Sequence, residues 1–317
     1  MFNNLFLKSR LILERYVPFV LYNKLHYKNN DMMQKISLET VMKTRPYESG
    51  EDTEEFELHM LIGARHIDLC LWSVKSFLHF TDKKYTIVLH DDGTLKENEC
   101  SILRKHIEGV KIIKKEDADR QMREKLKDLP NCSEFRFKEV KGGDHFNVKS
   151  NMFIMSLILF DFYLLSKAEK IMILDADVLF FKHPDEIIEW IENKEDRRTL
   201  YSVEKYNVFY NDKRKVEHKL RHDSNYLNTG LICAYKKGFY DLKLIERWIK
   251  ENKDCLYATR LAEQICQSYL IKGLEKGEPL DPDLYSFNLH LENSRSTHFG
   301  IKRLFFENTE KIERYLS

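Results

Sequence analysis

Apolar and polar positions alternate along this chain in two rhythms. Phe56 to Gly63 reads as a short strand, after which Leu69, Trp72, Ser76, Phe77 and Phe80 fall on one face of a helix. Tyr85 to Leu89 is a second apolar strand, stopped by the turn-forming run His90-Asp91-Asp92-Gly93. Lys96 to Ile107 has helical spacing, and Val110 to Ile113 forms a third strand. Strand, helix, strand, helix, strand at these intervals predicts a parallel sheet covered by helices, the start of a Rossmann-like α/β domain.

Further along, Val148, Met152, Met155, Leu159 and Phe162 are spaced as one face of a long helix. That helix leads into the run from Lys170 to Phe181, which is apolar apart from Asp175 and Asp177 in its middle. It predicts a buried central strand whose carboxyl end carries the acids, where ligands bind in open α/β sheets. Residues 44–55 are polar and acidic and contain Pro46 and Gly50, so they read as a linker. The expected division is an N-terminal extension and linker over 1–48 and a catalytic domain over 49–317.

Composition changes this picture in three places. The N-terminal extension carries Lys8, Arg10, Arg15, Lys24 and Lys28 against Glu14, interleaved with apolar residues. That suits either a helix lying on an anionic membrane or an arm packed on the domain or on a partner subunit. Over the 317 residues, 52 Lys and Arg balance 51 Asp and Glu, which argues against nucleic acid as a partner. The six cysteines, at 70, 100, 132, 233, 255 and 266, include no C-x-x-C pair and read as reduced, buried thiols. No signal peptide is expected, and no apolar run approaches the roughly 18 residues of a spanning helix. The expected setting is cytoplasmic, with peripheral contact to the inner face of a membrane, or an oligomer contact, assigned to the arm.

Carboxylates inside an apolar strand are costly unless a cation, donors or solvent meets them. On a strand, Asp175 and Asp177 would share a face, and two such carboxylates suit Mg²⁺ or Mn²⁺. Pairing with Lys or Arg is the structural alternative. Two families place Asp-x-Asp after an apolar strand. The haloacid-dehalogenase-type phosphohydrolases use the first Asp as nucleophile. His90 stands in that place in His90-Asp-Asp-Gly-Thr-Leu95, and three predicted strands precede Asp175 where that motif normally opens the fold. Three blocks lie downstream of Asp175: Asn228-Thr-Gly-Leu-Ile-Cys-Ala, Leu261-Ala-Glu-Gln-Ile265 and His298-Phe-Gly-Ile-Lys302. With Asp175-Ala-Asp177, in this order, they resemble the retaining GT-A glycosyltransferases of family 8, the glycogenin-like and bacterial galactosyltransferase-like enzymes.

The resemblance covers roughly residues 56–305 and implies a GT-A fold, a mixed but mostly parallel sheet flanked by helices. It implies a transferase that moves a sugar, with retention, from a nucleotide-sugar (a UDP-sugar in that family) to a glycan, lipid-linked or protein acceptor. His298 would join Asp175 and Asp177 on Mn²⁺ or Mg²⁺, and Gly300 and Lys302 would meet the diphosphate. Asn228, Glu263 (Asp in the family) and Gln264 would face the sugars, and Lys149 would touch donor sugar or phosphate. Ile62, Gly63 and Arg65 would border the base, and Asp91 and Asp92 the ribose. A metal-dependent phosphohydrolase and a catalytically silent module binding nucleotide or glycan remain as alternatives.

Overall fold

The computed structural model describes residues 19–51, 54–138, 148–204, 227–256, 262–274 and 276–317, with the side chains of 19–29, 148–153, 254 and 255 outside the description. Much of the basic N-terminal segment therefore lies outside the described residues. So does the side chain of Lys149.

The main sheet is built from β1 (Phe56–Ile62), β2 (Thr86–Asp91), β3 (Lys111–Ile113), β4 (Lys170–Leu174), β6 (Thr199–Val203), β7 (Leu227–Tyr235) and β8 (Gly277–Pro279). Its order is β8-β6-β7-β4-β1-β2-β3, with β7 antiparallel to both neighbours and every other pairing parallel. β1, β2 and β4 have almost no exposed side chain, as expected of strands covered on both faces. A three-stranded sheet combines β5 (Val178–Phe180), β9 (Tyr285–Phe287) and β10 (Ser296–His298), with β10 in the middle. The largely parallel, helix-covered sheet expected from the pattern is what the structure has, with the mixed pairing that the resemblance implied.

The apolar run 170–181 departs from its reading as a single strand. β4 ends at Leu174, residues 175–177 turn, and β5 leaves the main sheet to pair antiparallel with β10. Asp175 and Asp177 thus sit in a turn joining two sheets and do not share a strand face. The turn that the pattern placed at His90 begins later, because His90 and Asp91 still belong to β2.

Helix α1 (Phe19–Val41) packs on α2 (Ile67–Thr81) and on α10 (Lys302–Leu316). Val41 is fully buried, Trp72 Nε1 donates to Ser37 Oγ at 3.0 Å, and the buried Lys75 ammonium donates to Thr44 Oγ1 at 2.7 Å. Residues 47–48 pair in parallel with 107–108. On the other face of the sheet, α4 (Lys115–Lys125), α5 (Pro130–Phe137) and α6 (Val148–Leu165) meet at Arg136. Its guanidinium donates to Asp161 at 2.7 and 2.8 Å and to Asp119 at 2.8 Å, which neutralises a charge that could not otherwise be buried. The five cysteines whose side chains are described are free and buried, and no described helix is long and apolar enough to cross a membrane.

Candidate metal and active site

The turn after β4 is anchored on three sides. Asp175 N–H donates to Gly230 O of β7 at 2.9 Å, Val178 N–H closes the turn onto Asp175 O at 3.2 Å, and Phe299 N–H donates to Asp177 O at 2.9 Å. From α2, Ser76 Oγ accepts the Phe180 N–H at 3.0 Å. Because β10 pairs with β5 in the register His298 to Val178, an imidazole far away in sequence is brought beside the aspartates. His298 Nε2 lies 3.1 Å from Asp177 Oδ1 and 3.8 Å from Asp175 Oδ2.

Two neighbours on β7 hold that ring. Asn228 Oδ1 is 2.7 Å from His298 Nδ1 and also accepts the Gly230 N–H at 2.9 Å. For Asn228 to accept, Nδ1 must carry the proton, which turns the Nε2 lone pair toward the aspartates, the arrangement of a ligating histidine with its orienting partner. Gly230 makes room: a Cβ there would stand 2.3 Å from Nδ1. The residues of the Asn228-Thr-Gly block therefore seat the histidine.

Asp175, Asp177 and His298 bring their ligand atoms within 4.8 Å of one another. The side chains keep 33%, 27% and 16% of their surface open, so the cluster faces the cleft. Two carboxylate oxygens and an imidazole nitrogen form a donor set that fits Mn²⁺ or Mg²⁺ with further positions left for oxygen ligands. Burial among protein atoms raises the Asp175 carboxyl to about 7, with Asp177 adding to the rise and His298 opposing it. Burial works against a charged His298, but Asp177 and Asp175 outweigh it and lift the imidazole to about 9. Without a metal, the cluster stores protons that a cation would expel.

On α9 (Ala262–Lys272), Glu263 is 1% exposed and bonds to Gln267, and burial together with the Asp175 charge raises it to about 8. Gln264 Nε2 donates to Leu227 O at the start of β7. The carboxyl ends of β1 and β2 also meet: Asp92 N–H donates to Ile62 O at 2.9 Å, and a Cβ on Gly63 would stand 2.2 Å from Asp92 Oδ2. Asp91 caps the same turn, accepting from Gly93 and Leu95 N–H groups and pairing with Lys114. Lys302 Nζ lies 3.3 Å from His66 Nε2. A groove of about 770 Å³ runs from Lys302 past Ala64 and Arg65 to Gln34 and Leu38 of α1. Gln34 also donates to Arg65 O, so α1 touches the element that carries the expected base-binding residues.

Sequence reasoning missed His66 and Glu204. Burial and the Lys302 charge lower the His66 imidazole, while Asp177 and Asp92 act in the opposite direction. His66 thus stands beside Lys302 and within the field of the Asp177 carboxylate. Glu204, just past β6, lies 3.5 Å from Asn228 Nδ2 and adds to the field on His298. Neither belongs to a motif block, and only the sheet order brings them close.

No family model matches the chain, and no curated protein matches it. Solved structures do resemble it. Xyloside xylosyltransferase 1 from mouse, in its apo form, aligns with a TM-score of 0.51 over 78% of this chain and 98% of its own, at 13% identity. The galactosyltransferase LgtC, in complex with donor and acceptor sugar analogs, aligns with a TM-score of 0.52 over 82% of this chain and 96% of its own, at 12% identity. At such identities the likeness establishes the fold, and that fold is the GT-A fold of glycosyltransferases.

Proposed function

We propose that this protein is a metal-dependent glycosyltransferase that moves a sugar from a nucleotide-sugar, in family terms a UDP-sugar, to a glycan, lipid-linked or protein acceptor. The observation that carries the reading is the Asp175–Asp177–His298 cluster at the carboxyl edge of β4, with Asn228 orienting the histidine. A divalent cation held there would supply Lewis-acid charge to the diphosphate that leaves as the anomeric bond breaks. Asp175, Asp177 and His298 would hold that charge in the cleft. Lys302 places a second cation nearby and His66, its imidazole lowered, stays a neutral partner for it.

Glu263, raised to about 8, carries a proton at neutral pH and so offers a hydrogen bond in place of a full charge. Gln264 is an amide whose Nε2 is already engaged, and an amide is a poor nucleophile. Retention is therefore assigned to attack on the same face as the departing phosphate, with no covalent sugar on the protein. Gly63, Arg65 and Asp92 are proposed to border the nucleoside, and Gly300 the phosphates.

The test is a panel of nucleotide-sugars with Mn²⁺, scored by mass spectrometry for released nucleotide and transferred sugar and by thermal shift for binding. Release of nucleoside diphosphate with Mn²⁺ and not with chelator is the expected result. A phosphorylated Asp175, or binding without turnover, would replace this reading with a phosphohydrolase or a silent module.

A further inference from the structure

The segment after β9 carries an amide that the fold itself does not use. Asn288 takes a left-handed backbone conformation, with φ of 54°, and its N–H donates to His298 O at 2.8 Å. Its backbone is therefore tied to that of His298, while the Phe287 ring stands edge-on to the His298 imidazole with centroids 5.1 Å apart. Asn288 is only 5% exposed, yet neither Oδ1 nor Nδ2 has a hydrogen-bond partner. Two residues on, the His290 ring lies 4.0 Å from that of Phe181 and its Nδ1 is likewise unpartnered.

An orphaned buried amide carries the desolvation cost of both its atoms, and a native chain keeps few of them. Glycine would adopt the same left-handed conformation with nothing to desolvate. Asparagine tolerates that conformation too, but the backbone makes no use of its amide, which is left without a partner. The amide nitrogen lies under Gly300, where a Cβ would stand 3.8 Å from Nδ2 and 3.2 Å from the Phe287 ring. Gly300 is exposed and bears no side chain, so the amide sits one backbone layer beneath the surface between His298 and Lys302.

The pair of unused atoms defines the ligand chemistry. A hydroxyl both donates and accepts and can satisfy the two together, whereas a phosphate oxygen only accepts and would leave Oδ1 unpaired. We infer that Asn288 is a sugar-recognition residue, whose carboxamide pairs with a ring hydroxyl of the sugar brought to the metal cluster once the Gly300 backbone shifts aside. The inference rests on the glycosyltransferase reading. The hydroxyl can belong to the donor sugar or to the acceptor.

Asn288→Gly tests this, because glycine keeps the backbone and removes only the carboxamide. The variant is expected to fold with a Tm equal to or above that of the wild type. Calorimetry with Mn²⁺ and UDP should give an affinity within about twofold of wild type, since UDP lacks the sugar, whereas losing the hydroxyl contact should cost about tenfold. In the donor arm the loss appears as weaker binding of UDP-glucose or UDP-galactose. In the acceptor arm, donor binding holds and KM rises for transfer to free hexoses and disaccharides. Asn288→Asp, which keeps the acceptor but loses the N–H, should fall between. Wild-type values in both arms, with a raised Tm, would overturn the inference. Failure of the wild-type protein to bind UDP or any UDP-hexose with Mn²⁺ would instead sink the parent reading.

Discussion

Two clusters of histidine and carboxylate, one inside the main sheet and one where it meets the three-stranded sheet, behave in opposite ways. In the interior, Glu57 and His59 of β1 join His90 of β2: His59 Nε2 is 3.2 Å from Glu57 Oε2, and His59 Nδ1 is 2.8 Å from His90 Nε2. Ser166 donates to Glu57 at 2.6 Å, Lys111 lies 3.4 Å from it, and Phe162 covers both rings. At the cleft, Asp175, Asp177 and His298 combine similar side chains. Burial lowers His59 and His90, whereas the two aspartates lift His298 to about 9 against burial. Burial works to raise Glu57, but His59, Ser166 and Lys111 hold it down at about 2, while Asp175 rises to about 7.

Residue type does not separate a structural polar cluster from a chemical one. The inner carboxylate is met by its own donors, so it can stay charged without solvent or metal. The outer carboxylates have one shared histidine between them and an open face, which leaves coordination sites for something that arrives from outside.

The sharpest way to break the comparison is to neutralise one charge in each cluster. Asp177→Asn is expected to lower Mn²⁺-dependent turnover by about 10³-fold or more, with the circular dichroism spectrum unchanged, because a charged metal ligand is lost at little change of shape. Wild-type turnover in that variant would dissolve the site. His59→Ala should do the reverse, costing about 3 kcal/mol of stability, a fall in Tm of roughly 6 °C, by stranding the buried Glu57 carboxylate. Its turnover at a temperature where it stays folded should match wild type; a selective loss of kcat would mean that the inner cluster is not merely structural.

A milder change is His298→Ala, expected to weaken Mn²⁺-dependent UDP binding about 10- to 100-fold in calorimetry. Unchanged metal linkage would reduce His298 to a loop residue. The smallest effect is in pH. His298 and Asp175 have folded values above their unfolded ones, so their contribution is full at lower pH and lost as pH rises through about 7 and about 9. Glu57, depressed to about 2, contributes above its unfolded value and loses that as pH falls toward 2. Mn²⁺, by displacing the cleft protons, should raise Tm more at pH 8 than at pH 6. An equal shift at both values would contradict the proton storage assigned to the cleft.

Period and motif order were legible from the chain. Alternating apolar segments between 56 and 113 predicted the parallel half of the sheet, and Asp175-Ala-Asp177 with three later blocks pointed to a GT-A site. These are local signals: side-chain period follows secondary structure, and an acid in an apolar run stands out wherever it is. The tertiary structure alone decided that the 170–181 run breaks at the acids, that β5 crosses to a second sheet, and that β10 pairs with it in a register that delivers His298. It also decided that Asn228 orients that histidine and that Asn288, bonded to the His298 backbone, keeps an unpaired amide. Hydrogen-bond partners and solvent access depend on strand order and register between residues far apart in sequence, and neither leaves a periodic trace in the chain.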